Sequence, residues 1–151
     1  MAALEDIYSQ RILELAANIP RSGRLSDPDA TETAHSKLCG STITVDLKME
    51  GDRITDYGQT VRACLLGQAS ASIVGRLIVG STAAELHDVA EAMRRMLKEN
   101  GPAPQGKWAE LAILEPVRDH KSRHTSTLLV FEAVERAIAK IKATRSSVAA
   151  T

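Results

Sequence analysis

Two side chains in this sequence could do sulfur or soft-metal chemistry, the cysteines Cys39 and Cys64, and the chain has 2 in all. Cys39 sits in Leu38-Cys39-Gly40-Ser41 and Cys64 in Arg62-Ala63-Cys64-Leu65. A thiolate is a strong nucleophile and a ligand for zinc and for iron–sulfur clusters. The two are far apart in the chain and form no CxxC pair, so any joint role depends on what lies between them. There, Ile43, Val45 and Leu47 alternate with Thr42, Thr44, Asp46 and Lys48, the period of a half-buried strand. Glu50-Gly51-Asp52-Arg53 makes a tight turn, and Ile54–Val61 resumes extended character, so residues 41–63 read as a β-hairpin. The start and finish of an antiparallel hairpin are neighbours, which brings both sulfurs to one end of a sheet. Cys64 also begins a helix, where unpaired amides and the helix dipole favour thiolate over thiol. Gly40 allows the backbone to turn closely around a bound metal or cluster.

The elements around this hairpin follow from hydrophobic periodicity. Residues 3–17 place Leu4, Ile7, Tyr8, Ile12, Leu15 and Ala16 on one helical face, and Pro20, Gly23 and Pro28 then make a loop. After Cys64, Leu65, Leu66, Ala69, Ile73 and Leu77 recur at helical spacing as far as Gly80. Thr82-Ala83-Ala84-Glu85 fits a capping box ahead of an amphipathic helix ended by Asn100-Gly101-Pro102. Trp108–Leu114 is a short apolar segment, Val117–Thr127 a polar run, and Leu128–Ala143 a last helix. The order predicts an α+β fold, a small antiparallel sheet of about three strands with helices on one face. A single domain is expected over residues 1–143, with a frayed tail over 144–151.

Composition narrows the function classes. Of the 151 residues 44% are hydrophobic, enough for one core, but only 3% are aromatic, so aliphatic residues and alanine must fill it. Lysine plus arginine equal aspartate plus glutamate at 19 each, which gives no charge excess to attract nucleic acid or an anionic membrane. The apolar run near Ile73–Val79 is broken by Gly75 and Arg76 and is far too short to span a bilayer. With no leader pattern, a cytoplasmic protein is expected, and a reducing cytosol argues against a disulfide. No Gly-rich phosphate loop, Ser–His–Asp set or paired carboxylates stands out to support an enzyme of another kind.

The residues around the cysteines resemble a known family. Ile19-Pro20-Arg21-Ser22-Gly23 is similar to the asparagine–proline loop that leads into NifU/IscU/SufU-type scaffolds. Cys39-Gly40 resembles their first cysteine–glycine pair, and Cys64-Leu65-Leu66-Gly67-Gln68-Ala69-Ser70-Ala71-Ser72 their second cysteine with its small-residue helix. The likeness runs from about residue 5 to residue 142, and the long span between Cys64 and the last helix is closest to the SufU branch. It implies a SufE/NifU-like fold and a scaffold that assembles a [2Fe–2S] cluster or holds iron. The cluster's sulfur would come from a cysteine desulfurase, and the product would pass to acceptor proteins. A zinc-bound sulfur acceptor is the alternative the SufU branch implies, and a degenerate partner-binding module is a third reading.

Two family ligands are replaced. Ser41 stands where the family carries aspartate, and the third cysteine is absent, Ser126 taking its place when the last helix is aligned without gaps. Asp119-His120-Lys121-Ser122-Arg123-His124 lies just upstream, and imidazole substitutes for thiolate at zinc and in Rieske clusters. His124 is therefore the expected third ligand beside Cys39 and Cys64, with His120 as the fallback and His35 able to approach. The cluster could instead be shared in a homodimer, each chain giving two thiolates. Arg118, Lys121 and Arg123 form a basic cluster that could steer an acidic partner.

Overall fold

The strand alternation between the cysteines is reproduced in the structure, a computed structural model that describes residues 8–150, the side chains of 147–150 excepted. Strands β2 (Thr42–Glu50) and β3 (Arg53–Arg62) pair antiparallel in the expected hairpin, from Thr42 opposite Arg62 to Glu50 opposite Arg53. Gly51 takes the left-handed conformation the turn needs, at φ 58°. Ile43, Val45, Leu47 and Met49 are buried on one face of β2, and each such side chain contributes about 1.5–3 kcal/mol through the apolar area it removes from water.

A third strand, β1 (Ala30–His35), pairs with β2 to give the order β1-β2-β3, and it lies in a stretch to which the sequence pattern assigns no element. Its inward residues are only Ala30 and Ala34, and alanine is a poor strand former, so the segment lacks the usual apolar signal. Its place in the sheet is fixed by the outer face instead. Asp46 of β2 accepts from the Thr31 hydroxyl of β1 at 2.6 Å, from Arg24 Nε at 2.8 Å and from Leu25 N–H at 2.9 Å.

Helix α1 (Gln10–Ala17) starts after Ser9, whose hydroxyl accepts from Ile12 N–H, and covers the latter part of the helix expected over 3–17. Residues 3–7 of that stretch lie outside the described residues. Helix α2 (Leu65–Leu77) follows Cys64 directly, and helix α3 (Ala83–Lys98) is capped by Thr82, whose hydroxyl accepts from Glu85 N–H at 3.1 Å. Glu85 does not close the box. Its carboxylate accepts from Trp108 Nε1 at 2.7 Å and pins the next segment to α3.

That segment, Gly106–Asp119, is a run of 3₁₀ turns that takes in the short apolar segment Trp108–Leu114 and the start of the polar run. Trp108, Leu111, Leu114 and Val117 are its buried residues, and a spacing of three lines them up because a 3₁₀ helix has three residues per turn. The last helix, α4 (His124–Ala150), begins earlier than Leu128 and continues beyond Ala143. The expected frayed tail is thus helical within the described residues. Arg145 secures it by donating to the carbonyls of Met49 and Gly51 at the β2–β3 turn.

Candidate functional site

The loop Ser36–Ser41 joins β1 to β2 and carries Cys39 at its tip. Ser36 N–H donates to Ser41 O at 2.8 Å and Gly40 N–H to Ser36 O at 2.9 Å, closing the loop on itself. Gly40 makes the reversal at φ 71°. Because Thr42 pairs with Arg62, the start of β2 lies beside the end of β3, and Cys64 follows as the N-cap residue of α2. Both cysteines are free thiols, Cys39 exposed and Cys64 half-buried.

Serines connect them. Ser41 Oγ lies 2.9 Å from Cys39 Sγ and accepts from Cys64 N–H at 3.3 Å. An amide can only donate, so the Ser41 hydroxyl is left to turn its own hydrogen toward the Cys39 sulfur. The Cys39 thiol is accordingly held below its ordinary range, chiefly by that hydroxyl. Partial burial opposes the shift, while Ser36, the Ser41 backbone and the positive charge of Arg123 add to it.

Cys64 Sγ lies 3.2 Å from Ser126 Oγ. Ser126 is in the first turn of α4 and donates to Arg123 O at 3.2 Å, so toward Cys64 it acts as acceptor. Gly67 makes this approach feasible. A Cβ there would stand 2.8 Å from Ala63 Cβ and 3.1 Å from Ser126 O, so only glycine lets α2 lie this close to the start of α4. The members of the site are Cys39, Cys64, Ser36, Ser41 and Ser126, and all three serines are buried.

The structure does not bring His124 to the cysteines. His124 is buried at the first position of α4, and its Nε2 lies 3.1 Å from both Val117 O and Arg118 O, to which it donates. The ring ties the end of the 3₁₀ segment to the helix, and Ser126 occupies the place beside Cys64. Nor does His35 turn in, since its Nδ1 bonds the Thr42 hydroxyl at 2.9 Å. His120 lies between the two 3₁₀ stretches, with Nε2 buried and without a hydrogen-bond partner. Among the described residues, no three His, Cys, Asp or Glu side chains are grouped so as to hold a metal ion. Ser36 is the member that sequence reasoning missed, and its only signal was its place at the other end of the loop from Ser41.

Residues 7–146 match the profile of the NifU-like N terminal domain. This chain belongs to that family. Among relatives of the NifU-like domain, the "Iron-sulfur cluster assembly scaffold protein IscU" of Thermotoga maritima is 26% identical, over 89% of this chain and 94% of its own. The "Zinc-dependent sulfurtransferase SufU" of Bacillus subtilis is 23% identical over 92% and 94%. The crystal structure of the N-terminal part of a nitrogen-fixing NifU-like protein from Brucella abortus superposes with a TM-score of 0.91 at 55% identity, covering 92% of this chain and 96% of that one. The α+β architecture, with its three-stranded antiparallel sheet, is the one this family shares. No helix among the described residues is long and apolar enough to cross a membrane.

Proposed function

We propose that this NifU-like domain is an iron–sulfur cluster assembly protein that carries iron or a [2Fe–2S] cluster as cargo on Cys39 and Cys64. The observation that carries this reading is the convergence of the two thiols on one rim, bridged by Ser41, which contacts Cys39 Sγ at 2.9 Å and Cys64 N–H at 3.3 Å. Thiolates are the ligands such a cluster takes, and the exposed Cys39 leaves the cargo open to donor and acceptor proteins. The family's scaffold relatives support the same role. Anaerobic addition of ferric iron and sulfide should give visible charge-transfer absorbance, and Cys39→Ser and Cys64→Ser should each remove it. Unchanged absorbance in both variants would contradict the assignment.

A second reading is favoured by Cys39 alone, an exposed thiol under a hydroxyl that lowers its titration. Its thiolate would attack the outer sulfur of a persulfide on a cysteine desulfurase. The sulfur–sulfur bond breaks, the desulfurase thiolate leaves, and Cys39 keeps the transferred sulfur as its own persulfide. Mass spectrometry after incubation with desulfurase and cysteine should then show one added sulfur on Cys39. Resident zinc does not suit the donor set within one chain, because closed zinc sites use four thiolate, imidazole or carboxylate ligands and here two of the four places hold hydroxyls.

A further inference from the structure

Beside the cysteine loop lies a cavity of about 790 Å³, within the size range of small-molecule sites. Its walls come from the end of α3, the end of the 3₁₀ run, the turn Lys121–Arg123 and the first turn of α4. Leu38 and Leu97 give it apolar surface, and Lys98, Arg118 and Lys121 line it against one carboxylate, that of Asp119. The cavity abuts the sulfur site at two points of the chain. Leu38 precedes Cys39, and Ser122, also on the wall, precedes Arg123, whose charge acts on Cys39. Arg118 is held in place, its Nη2 donating to Gly101 O at 3.1 Å and lying 3.4 Å from the Glu115 carboxylate. Its Nε and the Nε2 of His120 are buried and have no hydrogen-bond partner among the described residues. Buried polar groups nearly always have one, so two orphans in one short stretch point to an acceptor supplied from outside.

Resting on the cargo reading above, we infer that this cavity binds a small polycarboxylate, the class of ligand that brings chelated ferric iron to Cys39. Three cations against one carboxylate favour a dianion or a more highly charged ligand. The cations sit on three elements, at the end of α3, the end of the 3₁₀ run and the turn before α4, so an ion with one charged centre meets only part of the set. Several carboxylates on one small carbon frame suit that spread, and the frame rests against Leu38 and Leu97. The Arg118 guanidinium pairs with carboxylate oxygens in its own plane, and His120, in the tautomer with its proton on Nε2, donates to another. Hydroxycarboxylates hold ferric iron through hard oxygen donors, and thiolates take it from them by ligand exchange. Iron–oxygen bonds break as iron–sulfur bonds form to Cys39 and Cys64. The thiol protons pass to the released carboxylates, and iron keeps its oxidation state.

Citrate is the probe. Isothermal titration calorimetry should show one citrate bound per chain, and its backbone NMR shifts should fall on Leu38, residues 97–100 and residues 118–125. Lys98 and Lys121 are exposed, so replacing both leaves the core untouched. Lys98→Gln combined with Lys121→Gln should weaken citrate binding roughly tenfold or more, the effect of losing charge-assisted contacts. Anaerobic loading from ferric citrate and sulfide should slow by a similar factor in that variant, while loading from unchelated ferric iron keeps the wild-type rate. The inference is overturned by absence of citrate binding, by shifts elsewhere on the molecule, or by tighter binding of inorganic phosphate to the same residues. A double variant that binds citrate, or loads from ferric citrate, as the wild type does overturns it equally. Each of these results leaves the cargo reading standing. No chromophore from either iron source overturns the cargo reading itself, and the delivery with it.

Discussion

At the scale of single residues, the site differs from a pair of buried thiols through its serines. Ser41 takes a proton-bearing amide on one side and gives its own proton to Cys39 on the other, so its hydroxyl is oriented toward the sulfur by the start of α2. Ser41→Ala should move the Cys39 titration up toward the ordinary thiol range. A hydrogen bond to a charged group contributes about 1.5–3 kcal/mol, and part of the effect survives through Ser36, so alkylation of Cys39 at neutral pH should slow roughly three- to tenfold. Peptide-resolved mass spectrometry after iodoacetamide labelling reads this, and an unchanged rate would show that Ser41 does not tune the thiol. The cysteines and the two replaced ligands were legible in the sequence because their places are set by local order, Cys39-Gly40 before a strand and Cys64 before a helix. His124 misled because sequence proximity to an empty slot says nothing about the turn of a helix. Two residues further on, Ser126 faces Cys64, while His124 bonds the carbonyls behind it.

At the scale of elements, the site depends on how closely α2 and α4 approach. Gly67→Ala would set a methyl 2.8 Å from Ala63 Cβ and 3.1 Å from Ser126 O, forcing the helices apart. Overpacking of this kind costs about 1–3 kcal/mol, which a urea denaturation midpoint would register, and it should also lower the yield of cluster on reconstitution. Full stability with full cluster yield would mean the approach is not tight. The hairpin and the two helices after it were legible from clean periods of two and 3.6. Strand β1 was not, because Ala30 and Ala34 give its inner face too little apolar contrast, and its pairing rests on Thr31 and Asp46 across the sheet. The 3₁₀ run was written in the sequence as Trp108, Leu111, Leu114 and Val117, but a repeat of three matches neither the strand nor the α-helix period and so escaped both.

At the scale of the whole molecule, Asp46 joins the Arg24–Leu25 loop, β1 and β2 through one nearly buried carboxylate. Burial pushes its titration up, but the bonds from Arg24, Thr31 and Leu25 outweigh it and the net shift is downward. A carboxylate whose folded-state value lies below its unfolded one adds stability above the ordinary aspartate range and loses it as pH falls through the folded value. The denaturation midpoint should therefore hold steady above about pH 5 and drop below about pH 4. Asp46→Asn should lower the midpoint at neutral pH and flatten that acid slope, whereas equal slopes in both proteins would assign acid sensitivity elsewhere. The fold class was readable from element order, but the length of α4 was not. Its end is held by Arg145 on the Met49 and Gly51 carbonyls, a contact between distant parts of the chain that no local pattern encodes.

All three scales meet at the claim that Cys39 and Cys64 are the ligands of the cargo. Iron X-ray absorption on the anaerobically loaded protein measures that ligand shell directly. Sulfur at bonding distance from iron is the predicted result, with that signal lost in Cys39→Ser and Cys64→Ser. The same signal in both variants would contradict it.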